Sequence, residues 1–138
     1  MLNSGFGDQG FEFVYEAQFA EPTAEDEFWA VAFRRFGGEV VLSGDKNIAK
    51  RPHQIAAFKE NGLKCFFMLH GWSSMDIVFK VAHTIAWWPR IQGQIAKCGP
   101  GDAYWVPMAL RPVPFKKVEL PDGILAKAIS ARREKVQA

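Results

Sequence analysis

Two short apolar runs, each followed by residues at helical spacing, limit the folds open to this chain. Residues 39–43 (Glu-Val-Val-Leu-Ser) and 64–69 (Lys-Cys-Phe-Phe-Met-Leu) are continuous rather than alternating in hydrophobicity. A strand buried on one face would alternate, whereas a continuous run marks a strand covered on both faces, as in a parallel sheet. Before the first run, Phe28, Trp29, Ala32, Phe33 and Phe36 recur at the spacing of one helix face. Thr23 and Asp26 fit a capping box at the start of that helix, and Gly37-Gly38 fits its end. Between the runs, Pro52 suits a first helical position, with Ile55, Ala56 and Phe58 on a helix that ends near Asn61-Gly62. After the second run, Ser73 and Asp76 make another capping box. Ile77, Val78, Val81, Ala82 and Ile85 then form the expected buried face of a helix that Pro89 terminates. Phe11 to Tyr15 reads as one more strand, after a Gly-rich loop over 1–10. The order β-α-β-α-β-α predicts an α/β fold, a three-layer sandwich with a mainly parallel sheet.

Beyond residue 100 the character changes. Prolines 100, 107, 112, 114 and 121 punctuate extended pieces at 103–109 and 115–119, and residues 122–137 read as an Ala- and Lys-rich helix. The expected organisation is an α/β domain over 1–100 and a C-terminal extension over 101–138. The 138 residues suffice for one core. With 17 basic against 15 acidic residues, net charge alone gives no nucleic-acid footprint, so such a partner needs a local basic patch. No run approaches a membrane span and no leader pattern is evident, which makes the cytoplasm the expected location.

Asp45 closes the first apolar run and is the main candidate for chemistry. An acid at the carboxyl end of a parallel strand faces the crevice where α/β proteins bind ligands. Lys46, Asn47, Lys50, Arg51 and His53 follow at once. A carboxylate among cations can hold a metal, organise a phosphate site, pair with Arg51, or form a turn with Asn47. Asp26 has an equally plain structural reading as a capping residue.

Four segments, in order, resemble the PIN-like domains: Asp26-Glu27-Phe28-Trp29, Val41 to Ile48, Arg51-Pro52-His53-Gln54, and Asn61 to Phe67. The resemblance covers roughly residues 11–90. It implies a Rossmann-like topology and a metal-dependent ribonuclease, often the toxin of a toxin–antitoxin pair. It also implies an acidic cluster at the carboxyl edge of the sheet, holding Mg²⁺ or Mn²⁺. Matched residue by residue, Asp45 is the strand-end acid and Asp26 the helix-borne acid, with Glu27 as its near substitute. Asp45, Asp26 and Glu27 are then the expected catalytic residues, and Asp45 and Asp26 the metal ligands. Asn47, Lys46, Lys50 and Arg51 are expected to hold substrate phosphates. The family opens with a strand, an acid and a helix that have no counterpart here, since Asp8 and Glu16 do not end apolar strands. A domain truncated at its N-terminus is therefore expected, either displaced from a longer chain or degenerate. Its partners would be single-stranded or structured RNA and an antitoxin protein. An exposed sheet edge would favour a homodimer.

Three functional readings follow: a metal-dependent endoribonuclease, an inactive PIN-like protein acting through protein–protein contacts, and a phospho-acceptor at Asp45. The last lacks the acidic pair that would hold Mg²⁺. Other features read as structural. His53, His70 and His83 lack metal-ligand spacing, and His83 is expected to be solvated or hydrogen-bonded. Trp72, Trp87, Trp88 and Trp105 can stack bases but suit a core or interface better. Cys65 reads as a buried strand thiol, and Cys98 has no base beside it.

Overall fold

Residues 40–43, 64–68, 103–106 and 116–117 hydrogen-bond into one four-stranded sheet. The computed structural model describes residues 11–12, 26–120 and 123, with only the backbone at Asp26 and Glu27. In chain order the elements are α1 (Asp26–Phe36), β1 (Val40–Ser43), α2 (Pro52–Glu60), β2 (Lys64–Met68), α3 (Ile77–Lys97), β3 (Ala103–Val106) and β4 (Lys116–Lys117). Single 3-10 turns at Ile48–Lys50 and Trp72–Ser74 precede α2 and α3. The strand order is β1-β2-β3-β4. The first three strands are parallel and β4 is antiparallel to β3. Of the expected strand at 11–15, Phe11 and Glu12 are in no strand and residues 13–15 lie outside the described residues, as do the side chains of the Thr23–Asp26 capping box and the helix expected over 122–137 except Gly123.

The strand sequences decide which layer each side chain enters. Val41, Cys65, Phe67, Ala103 and Trp105 project to one face, where they meet Ala30 and Phe33 of α1 and Ile55 and Phe58 of α2. Val40, Leu42, Phe66, Met68, Tyr104 and Val106 project to the other face, against Trp87, Trp88 and Ile91 of α3. Both faces of the sheet are covered, so the strands read as unbroken apolar runs. This is the expected three-layer α/β arrangement. The segment expected as a C-terminal extension supplies β3 and β4 to the same sheet, with Cys65 in register with Ala103 and Met68 with Val106.

A turn at Gly37-Gly38 joins α1 to β1. Gly37 takes a left-handed φ of 105°, which a side chain would resist. The Gly37 and Gly38 amides donate to the carbonyls of Arg34 and Phe33 at the helix end. The chain passes there from α1 into β1.

Helix α3 departs from expectation in three ways. First, it continues through Pro89 to Lys97. The Pro89 ring and Ile85, whose carbonyl loses its helical donor, are both exposed, so water can serve that carbonyl. Buried Trp87, Trp88 and Ile91 anchor the helix on both sides of the proline. Second, its buried face is His83, Trp87, Trp88 and Ile91, whereas Ile77, Val78, Val81 and Ile85 are exposed. An indole removes far more area from water than a valine, so the aromatic stripe takes the sheet. Third, His83 is fully buried on the main stripe; of the two expectations, solvated or hydrogen-bonded, the second holds, at both ring nitrogens. The cap also differs: Asp76, not Ser73, is the N-cap, and its carboxylate accepts from the Phe79 amide at 2.8 Å. Asp76→Ala is expected to destabilise the fold by about 0.5–2 kcal/mol in urea unfolding.

Candidate functional site at the carboxyl edge

β1 delivers the chain to the carboxyl edge, and Asp45 fixes the loop that follows. Its Oδ1 accepts from the Asn47 amide at 2.9 Å, an Asx turn. Its Oδ2 accepts from Arg51 Nη1 at 3.0 Å. The Asp45 amide donates to Ser43 Oγ at 3.2 Å, and its carbonyl accepts from the Ile48 amide at 3.3 Å. Ile48 is buried and anchors the 3-10 turn that leads into Pro52 and α2. Both structural readings of Asp45, the turn and the ion pair, are therefore present. Each carboxylate oxygen still has a second lone pair. The Asp45 side chain is 33% exposed and that of Arg51 47%. An ion pair this wet is worth roughly 0.2–1 kcal/mol, so Arg51 can leave at little cost.

Of the other expected site residues, Lys46, Lys50 and Arg51 are exposed and Asn47 is half-buried along the same turn. They share one short loop with Asp45. Asp26 and Glu27 stand at the start of α1, and their side chains lie outside the described residues.

Trp72, Gly44 and His83 form a support that the sequence reading missed. Trp72 lies four residues past β2, and its ring packs on the Gly44 backbone. A Cβ at Gly44 would lie 2.3 Å from Trp72 Cζ3. The indole Nε1 donates to His83 Nδ1 at 3.2 Å. Indole nitrogen only donates, so Nδ1 carries the lone pair, and Nε2 donates to the Pro107 carbonyl at 2.6 Å. Lys80 Nζ lies 5.2 Å from the centroid of the Trp72 ring, a cation–π contact. This chain of contacts ties together the residues just past the ends of β1, β2 and β3. One signal was legible: Phe79, His83, Trp87 and Ile91 form a four-residue stripe that competes with the aliphatic one. Gly44→Ala is expected to displace the indole and destabilise the fold by about 1–3 kcal/mol, read by thermal melting.

The remaining tryptophans are structural. Trp87 and Trp88 are buried, and Trp105 packs on Phe67. Neither thiol is a nucleophile candidate. Burial pushes Cys65 up to about 12 against a smaller opposing pull from Lys59, and burial also raises Cys98. Both stay protonated at neutral pH. A cavity of about 270 Å³ among Phe11, Phe33, Phe36, Val40 and Ile95 opens at the amino end of β1, away from Asp45.

Asp45 is the kind of hard oxygen donor that Mg²⁺ or Mn²⁺ takes. No group of three or more His, Cys, Asp or Glu able to hold a metal occurs among the described residues. Mg²⁺ commonly takes one or two carboxylates, with waters and substrate phosphate completing the shell. The donor chemistry fits an open site of that type. No helix among the described residues is long and apolar enough to cross a membrane.

No curated protein and no solved structure matches the chain. A family model described as a PIN like domain matches residues 1–70. PIN domains are in general metal-dependent nucleases, so the family points to a nuclease-like superfamily. The match covers 70 of 138 residues, including α1 to β2 and Asp45, and the chain belongs to the PIN-like domain family.

Proposed function

We propose that this chain is a metal-dependent endoribonuclease whose site is centred on Asp45. The observation that carries the reading is a partly exposed carboxylate at the carboxyl edge of a parallel sheet, in a chain of nuclease-like family, held by a cheaply broken pair with Arg51. Asp45 and Asp26 would hold Mg²⁺ or Mn²⁺, with Glu27 beside Asp26. The metal, when bound, supplies an activated water and neutralises charge on the phosphoryl oxygens.

The chain's own residues orient and bind. The Asn47 amide holds Oδ1 and so fixes the plane of the Asp45 carboxylate. Arg51, once released from Oδ2, offers its planar fork to a phosphate, and Lys46 and Lys50 offer point charges beside it. Asn47 can hydrogen-bond the substrate with its side-chain amide. A single-stranded RNA suits this short basic loop, as the phosphate backbone is the feature it can grip. A toxin role in the cytoplasm, with an antitoxin protein covering the loop, is the biological setting we infer from the family.

The second reading is an inactive PIN-like protein that acts through protein contacts. Arg51 seated on Asp45, where a metal would otherwise bind, favours it. Mn²⁺-dependent cleavage of labelled RNA decides between the two. An active chain that loses cleavage in Asp45→Asn supports the nuclease, and inactivity under all metals supports the second reading.

A further inference from the structure

We infer that Trp72 and Lys80 form a subsite for one unpaired nucleotide of the RNA, whose base stacks on the indole while its phosphate takes the lysine ammonium. The subsite rests on the proposed RNA cleavage at Asp45. It carries the substrate's path beyond the Asp45 loop, from the end of β1 towards the start of α3.

Its place follows from the parallel sheet. Ser43 at the end of β1 is in register with Phe67 near the end of β2, so the two strands leave the sheet side by side. Trp72 opens the 3-10 turn that follows β2, and Gly44 leaves room for its ring. A Cβ at Gly44 would lie 2.3 Å from Cζ3, 2.8 Å from Cε3 and 3.2 Å from Cη2. The indole therefore packs on the residue next to Asp45. It is partly exposed, and the bond from Nε1 to His83 Nδ1 fixes its orientation. A platform already ordered spares the entropy of fixing a side chain on binding.

Lys80 supplies the charge. Its Nζ rests 5.2 Å from the centroid of the Trp72 ring. It takes part in neither of the ion pairs seen among the described residues. Asp76, one turn before it on the helix, directs Oδ1 to the Phe79 amide instead. The ammonium thus lies over a ring, with no carboxylate to neutralise it among the described residues. A cation–π contact at the surface is weaker than the stacking of a base on an aromatic ring. A base can replace the ammonium on the indole, and the ammonium then turns to the phosphate of the same nucleotide. Only an unpaired base can reach the ring in this way, so the subsite selects single strands. Every base has a π-face, so it does not select sequence.

Two measurements on the full chain test the subsite, both in EDTA so that no metal-dependent cleavage intervenes. The first is fluorescence anisotropy of a labelled single-stranded RNA across a KCl series. Lys80→Gln is expected to lower the slope of log affinity against log salt by about 0.7, the share of one phosphate on a single strand. Lys97→Gln lies at the other end of α3, roughly 25 Å along the helix, and is expected to leave the slope unchanged. The second is irradiation of the wild-type chain with single-stranded RNA carrying iodouridine, followed by mass spectrometry. A crosslink at Trp72 is expected, and none when the same strand is held in a duplex. An unchanged slope in Lys80→Gln would overturn the subsite, as would crosslinks that avoid Trp72 or form equally in the duplex. RNA binding by the wild type would in those cases leave the Asp45 reading standing. A wild type that binds no single-stranded RNA would overturn both.

Discussion

His83→Leu is expected to destabilise the fold by roughly 1–4 kcal/mol, because two half-buried polar groups lose their buried partner, each at up to about 1–3 kcal/mol. The indole N–H of Trp72 would have no acceptor and the Pro107 carbonyl no donor. Leucine fills much of the space, so the loss measures hydrogen bonding more than cavity formation. Equilibrium urea unfolding reads the effect. His83→Gln separates the two contributions, since one amide offers both an acceptor and a donor. It is expected to recover part of the stability that leucine loses. Because Trp72 packs on Gly44, next to Asp45, any activity should fall in His83→Leu even where the protein remains folded. A leucine variant as stable as wild type would mean that the two bonds to the imidazole contribute little.

Asp45→Asn is expected to remove cleavage while leaving the fold intact. Asparagine keeps an oxygen that can accept from the Asn47 amide, so the Asx turn survives. The charge is lost, and with it the pair to Arg51. That pair lies at the surface, so its loss costs at most about 1 kcal/mol. A variant that melts close to wild type yet has lost activity assigns Asp45 to chemistry. One that unfolds early and regains activity on stabilisation would assign it to the turn. The contrast with His83 is useful, since one position should act on stability first and the other on activity first.

Much of the fold was legible because local signals agreed with the global arrangement. The strand at 40–43 follows a two-glycine stop, and the helix from Pro52 starts where the ring is tolerated. The continuous runs announced a doubly covered sheet, and Val41 and Leu42 point to opposite layers. What could not be read was which face of α3 is buried. That helix carries an aliphatic stripe and an aromatic stripe. The choice depends on how much area each removes from water against Phe66, Met68 and Val106, which are distant in sequence. The misplacement of His83 followed from that choice. Pro89 misled for a related reason: a proline ends a helix only when nothing else holds the next turn, and here Ile91 and the two indoles do.

The site was legible in its loop and hidden in its support. Asp45, Asn47 and Arg51 interact over two to six residues, so spacing alone suggested the turn and the ion pair. Trp72 reaches Gly44 only because parallel β1 and β2 bring their carboxyl ends side by side, and no local pattern encodes that.

On the reading proposed above, the edge around Asp45 is a working nuclease site. The direct test is Mn²⁺-dependent cleavage of labelled single-stranded RNA by this chain, run beside folded Asp45→Asn. Fragments are expected from the wild-type chain only with the metal, and none from the variant. Equal cleavage by both proteins, or none by either under any divalent metal, would contradict it.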